Sequence, residues 1–135
     1  MKIGLCIEMA LSGLPFEDRL EHAAELGFSN VEMWFVDGSY KGSGENLAKL
    51  AEQNKVNITN TVIGAPDGSV GGGLTNPANR AQWLKRAKMT IDFNVAAKIP
   101  STIVCTGNLV AGMSDDEMMQ SVMEGLKATV EMAEK

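Results

Sequence analysis

Apolar residues recur along this chain in two alternating rhythms, a period of two over short stretches and a period near 3.6 over longer ones. Their succession predicts strand then helix four times over. The first strand spans Lys2 to Glu8, with Ile3, Leu5 and Ile7 opposing Gly4, Cys6 and Glu8. A helix follows from Pro15, with Phe16, Leu20, Ala23, Ala24 and Leu26 at helical spacing, and Gly27 ends it. The second strand is Asn30 to Phe35, where Val31, Met33 and Phe35 oppose Glu32 and Trp34. A Gly/Ser-rich link then leads to a helix over about Glu45 to Gln53 with Leu47 and Leu50 as its apolar stripe. The third strand, Val56 to Val62, is rich in β-branched residues.

The longest connection runs from Ile63 to Asn79, and a loop of that length in a compact domain is usually functional or disordered. Its glycines Gly68, Gly71, Gly72 and Gly73 invite comparison with a phosphate-binding loop. No Gly-Lys-Ser/Thr follows them, so a mobile flap is the better expectation. Asn76 and Pro77 suit an N-cap and first turn for a helix to about Ile99, and Pro100 stops it. Ser101 to Thr106 is the fourth strand, and Ser114-Asp115-Asp116-Glu117 is a capping box opening the last helix.

Alternating strands and helices imply a parallel sheet, closed either as an eight-unit barrel or as a doubly wound open sheet. A (β/α)8 barrel takes about 250 residues. The 135 residues here therefore form one domain amounting to four of a TIM barrel's eight units, its N-terminal half. A flavodoxin-like open parallel sheet is the alternative, although no phosphate-binding first loop supports it.

Composition narrows the function classes. A hydrophobic fraction of 44% with 21% charged residues is that of a globular chain. A net charge of −5 argues against a nucleic-acid or anionic-membrane partner. No apolar run approaches a membrane span, and the opening MKIGLCIEM lacks the apolar core of a signal peptide, so a cytoplasmic location is expected. Cys6 and Cys105 both lie in strand-like segments and read as core thiols rather than a disulfide.

In a barrel the reactive face is at the C-terminal strand ends. Glu8 stands at the end of the first strand, where it is either a substrate-facing carboxylate or a solvated loop residue. Glu32 alternates away from the apolar positions of the second strand, so it faces the barrel interior as a substrate-orienting group or as a structural acceptor. Trp34 is placed near the mouth, as an apolar wall or as packing. Asn60 is a lone amide in a β-branched run, and Thr106 opens the stretch after the fourth strand. Asp37 and Asp67 sit in Gly-containing loops where Asp is a common turn former. The one histidine, His22, lies on the first helix, away from that face. The methionines of the last helix read as adaptable packing.

Three stretches together resemble the xylose-isomerase-like TIM-barrel superfamily, and within it the hydroxypyruvate isomerase group. They are IEMALSGLPFEDRLEHAAELGFSNVEMWF, NTVIGAPDG and TIVCTGNLVAG, in register with the first half of such a barrel. The resemblance implies aldose–ketose isomerisation of a small hydroxy-carbonyl or sugar substrate through an enediolate. It implies two glutamates as acid and base, and a divalent cation such as Mg or Mn held from strands five to eight. It places Asn60 in a loop region that lines the pocket. Relatives often carry a histidine on strand four, where this chain has Ile103, Val104 and Cys105. With the acid/base and metal groups expected in a C-terminal half, the isolated chain is expected to be inactive.

A second reading is a half-barrel that self-associates through its open strand edges to close one ring. The nucleic-acid branch of the superfamily, of endonuclease IV type, needs several histidines around zinc and a basic groove. One histidine and a net charge of −5 speak against it.

Overall fold

The computed structural model describes residues 1–134 and contains two compact units, residues 1–62 with 92–103, and residues 63–91 with 104–134. The first unit holds the whole sheet, four parallel strands in the order β1-β2-β3-β4. These are β1 (Leu5–Cys6), β2 (Asn30–Glu32), β3 (Asn57–Val62) and β4 (Thr102–Ile103). The helices are α1 (Ile7–Ala10), α2 (Phe16–Glu25), α3 (Gly44–Gln53), α4 (Arg80–Ala97) and α5 (Asp115–Ala133). Each helix predicted from periodicity is present, and α1 is an additional short one.

Three strands are shorter than the alternation predicts, β1, β4 and also β2, which covers Asn30–Glu32 rather than Asn30 to Phe35 although it has a neighbour on each side. β1 covers Leu5 and Cys6 rather than Lys2 to Glu8, because it ladders only against β2 and the chain turns helical at Ile7. β4 covers Thr102 and Ile103 rather than Ser101 to Thr106, again with one neighbour, β3. A strand with a partner on one side only has half the ladder to hold it extended. β3, with a neighbour on each side, keeps six residues.

One face of this sheet is packed. Val31, Met33 and Ile58 meet Phe16, Leu20 and Ala23 of α2, Leu47 and Ala51 of α3, and Ala97 at the end of α4. Pro15 precedes the first turn of α2, and Ser43 caps α3 by accepting from the Asn46 amide at 3.3 Å. The sheet's register slips between Val31 and Glu32, where β3 advances from Ile58 to Asn60. Thr59 is the extra residue, and its hydroxyl lies 3.0 Å from the Val31 carbonyl. The slip resets the alternation of β3. Ile58 and Thr61 both face the helices, where Thr61 meets Asn94 of α4 at 2.8 Å. Asn60 is thereby turned to the opposite face.

The second unit is organised around Ile63, Leu74, Trp83 and Ala87, with Val122 and Leu126 of α5 against them. The Trp83 indole donates to the Thr129 hydroxyl at 3.1 Å, and Ser121 donates to the Leu74 carbonyl at 2.6 Å. The predicted capping box is formed: Ser114 Oγ accepts from the Glu117 amide while Glu117 accepts from the Ser114 amide at 2.8 Å. The loop over Ile63 to Asn79 carries its own hydrogen bonds, Ala65 to Val70, Gly68 to Ala65 and Gly72 to Gly68. Its glycines are demanded by geometry. A Cβ on Gly64 would lie 2.7 Å from the Trp83 ring, and Gly73, at φ 73°, passes against Gly107.

Candidate functional site

Cys6, Glu32 and Asn60 are register partners on adjacent strands, so they form one row across β1, β2 and β3. The row faces away from α2 and α3, and the short α1 lies beside its Cys6 end, where the Met9 and Glu8 amides meet the thiol. Asn60 Nδ2 donates to Glu32 Oε2 at 3.3 Å, and the Thr59 hydroxyl lies 2.9 Å from Asn60 Oδ1, which orients the amide. With one hydrogen, Thr59 bonds either Asn60 or Val31 at a time. Burial pushes the Cys6 thiol above its ordinary value, and its hydrogen bond to Glu32 and that carboxylate's charge add to the shift. All three residues are half-buried. A carboxylate that accepts from one amide and one thiol keeps lone pairs for an incoming hydroxyl or a proton. Trp34, two residues beyond Glu32 and 38% exposed, adds an aromatic surface.

Glu8 lies elsewhere, in α1, because the chain leaves the strand before reaching it. Its carboxylate bonds Arg19 at 2.9 Å and accepts from the Ser39 hydroxyl at 2.7 Å. Arg19 is buried, and it also donates to the Leu14 carbonyl at 2.9 Å and the Ser12 carbonyl at 3.2 Å. This arrangement pins the loop after β1 to the loop after β2. Sequence reasoning missed Arg19, although an arginine amid the apolar stripe of α2, one residue before Leu20, was the available signal.

Thr106 belongs to the second unit. Its carbonyl accepts from the Leu74 and Thr75 amides, the latter at 3.1 Å, and the same connection is held where Thr75 donates to the Asn108 carbonyl. Asp67 turns its own loop, bonding Ser69, and this holds its carboxyl below the usual range. His22 is on the exposed side of α2, its Nδ1 3.1 Å from the Asp18 carbonyl. Both cysteines are free thiols.

The structure thus joins two of the residues singled out from sequence, Glu32 and Asn60, adds Cys6 to them, and places Glu8 in a separate ion pair. Among the described residues no three His, Cys, Asp or Glu side chains converge as a cation site. No helix among the described residues is long and apolar enough to cross a membrane.

No protein-family model matches the sequence. The 2-oxo-tetronate isomerase of Haemophilus influenzae is 24% identical over 129 residues, covering 93% of this chain. The chain spans about half the length of that curated relative, 48%. Among solved structures, an AP endonuclease of family 2 from Brucella melitensis superposes with a TM-score of 0.77 at 16% identity, over 97% of this chain and 50% of that one. A sugar phosphate isomerase/epimerase from Parabacteroides distasonis gives 0.69 at 13% identity, over 98% and 47%. A fusion protein of a xylose isomerase-like TIM barrel with 4-hydroxyphenylpyruvate dioxygenase gives 0.70 at 15% identity, over 98% and 21%. Four parallel strands in one open sheet, matched along nearly the whole chain to about half of the first two of these proteins, are the fold of half a xylose-isomerase-like TIM barrel.

Proposed function

We propose that this chain forms one wall of an isomerase pocket for a small hydroxy-carbonyl acid or sugar, working as the N-terminal half of a closed barrel. The observation that carries the reading is the Cys6–Glu32–Asn60 row, on the sheet face that would line such a barrel. The alignment with 2-oxo-tetronate isomerase over 93% of the chain supports the same class of reaction.

Isomerisation moves a proton between neighbouring carbons, one of them bearing a carbonyl, by way of an enediolate. In this reading Glu32 holds a substrate hydroxyl or carries that proton, Asn60 fixes the carboxylate's orientation, and Trp34 shields the site from water. Glu8 takes part at one remove, by fixing with Arg19 the loops beside the site. The second acid/base group, and any divalent cation, come from the complementary half of the ring. The AP endonuclease likeness is one of fold, and a net charge of −5 with one exposed histidine favours a small-molecule substrate over nucleic acid.

The test is solvent-deuterium exchange followed by NMR, with hydroxypyruvate and four-carbon hydroxy 2-oxo acids, in the assembled protein with Mg or Mn supplied. Exchange at the carbon next to the carbonyl, reduced roughly 100-fold or more in Glu32→Gln, is the expected result. Absence of exchange for every such substrate refutes the reading, as does a Glu32→Gln protein of undiminished rate.

A further inference from the structure

Beyond Val31, two registers can be drawn for β3 against β2. A regular ladder sets Thr59 opposite Glu32 and returns Asn60 to the helix-covered face beside Ile58. The register formed sets Asn60 opposite Glu32, and this brings the amide to 3.3 Å from the carboxylate. Successive residues of a strand turn their backbone polar groups to alternate neighbours. On β3, Asn57 and Asn60 both address β2: the Asn57 amide donates to the Ser29 carbonyl at 2.9 Å, and the Asn60 carbonyl accepts from the Met33 amide at 3.2 Å. With the extra residue between them, Thr59 and Thr61 address the β4 side instead.

Ser101, the residue before β4, takes both. Its hydroxyl donates to the Thr59 carbonyl at 2.8 Å, and its carbonyl accepts from the Thr61 amide at 3.2 Å. The two neighbours of Asn60 are therefore held by one residue. Behind it stands Asn94 of α4, 6% exposed, which donates to the Thr61 hydroxyl at 2.8 Å and to the Ser101 carbonyl at 3.4 Å. In the regular register Thr59 turns its carbonyl to β2, and the Ser101 hydroxyl loses that acceptor. Its bond to Thr59 thus belongs to the bulged register alone.

We infer that Ser101, backed by Asn94, is a positioning residue that selects the bulged register of β3 and so presents Asn60 to Glu32. Neither residue belongs to the row, and both act on it through the β3 backbone. The consequence for catalysis rests on the isomerase reading, whereas the register itself does not.

NMR of the 15N-labelled 135-residue chain reads the register without any activity. The side-chain amide resonances of Asn60 should move as Glu32 is protonated on acidification, and should not in Glu32→Gln. Ser101→Ala should lose most of that response with the helical circular dichroism kept, since Ser101 is exposed. Ser101→Thr, which keeps the hydroxyl, should restore it. A hydroxyl that only adds stability would lower the melting temperature of Ser101→Ala and leave the Asn60 response intact, and that result overturns the inference. So does a native chain without the response, a threonine variant that behaves like alanine, or an alanine variant that does not fold. In an active assembled protein, Ser101→Ala should lower kcat about 10-fold or more with KM changed less than about two-fold. An undiminished kcat overturns the positioning role. Loss of the Asn60 response in Ser101→Ala, in a protein that exchanges no substrate, refutes the functional reading and sustains the register selection.

Discussion

Arg19 is the residue whose removal the structure weighs most definitely. Its guanidinium bonds Glu8 at 2.9 Å, Ser39 at 3.3 Å and the carbonyls of Leu14 and Ser12, with side chains 8% and 11% exposed across the ion pair. Substitution by methionine keeps most of the buried stem but leaves the Glu8 carboxylate with only the Ser39 hydroxyl. Breaking a buried pair by removing one partner costs about 3–5 kcal/mol, and the surviving Ser39 bond puts Arg19→Met near the lower end, about 3 kcal/mol. Glu8→Gln in that background relieves the unpaired charge, so the double variant should be less destabilised than the sum, with a coupling of about 1–3 kcal/mol. The assay is urea unfolding at one fixed protein concentration, where about 3 kcal/mol lowers the midpoint by about 1–2 M for a chain of this size. Additive single and double variants, with coupling below about 0.5 kcal/mol, would refute the argument that these two residues hold the loops as one unit.

Gly64→Ala should destabilise by about 1–3 kcal/mol, because the new methyl would lie 2.7 Å from the Trp83 ring and 3.0 Å from the Val70 carbonyl. Gly13→Ala, with no neighbour within 4 Å, is the control and should be neutral to slightly stabilising in the same melts. In a Cys105→Ser background, Cys6 should react slowly with a disulfide reagent at neutral pH, and Glu32→Gln should speed it. Burial still raises the thiol pKa in that variant, but the hydrogen bond and charge of Glu32 no longer add to it. The amide and hydroxyl of Ser114 hold the Glu117 carboxyl below its ordinary range, so its support of α5 is complete above the unfolded glutamate value and is lost as pH falls through the lowered one. The protection factors of amides in the first turn of α5, taken relative to intrinsic exchange at each pH, should therefore fall on acidification, and Ser114→Ala, which removes the hydroxyl but keeps the amide, should weaken that pH dependence.

The sequence by itself determined the order and kind of elements. Apolar spacing placed α2, α3, α4 and α5 because a helix buries one stripe whatever lies beyond it, and the Ser114–Glu117 box marked the start of α5 because capping is local chemistry. The face assignment of β2 was equally legible, since Val31 and Met33 alternate with Glu32. Strand lengths were a different matter. Whether Lys2 to Glu8 or Ser101 to Thr106 stay extended depends on partners at the sheet's edges, and tertiary structure alone decides which strands have them.

The site divided along the same line. Periodicity could turn Glu32 away from the helices, but its joining to Asn60 depends on the slip that makes Thr59 the extra residue of β3. A single inserted position changes which side chains share a face, and no local pattern reports it. Glu8 was legible as a carboxylate near a strand end, but its commitment to Arg19 was not, because the partner lies eleven residues away on another element. Local periodicity set what each segment is. Packing across the sheet set which of its polar groups remain available for chemistry.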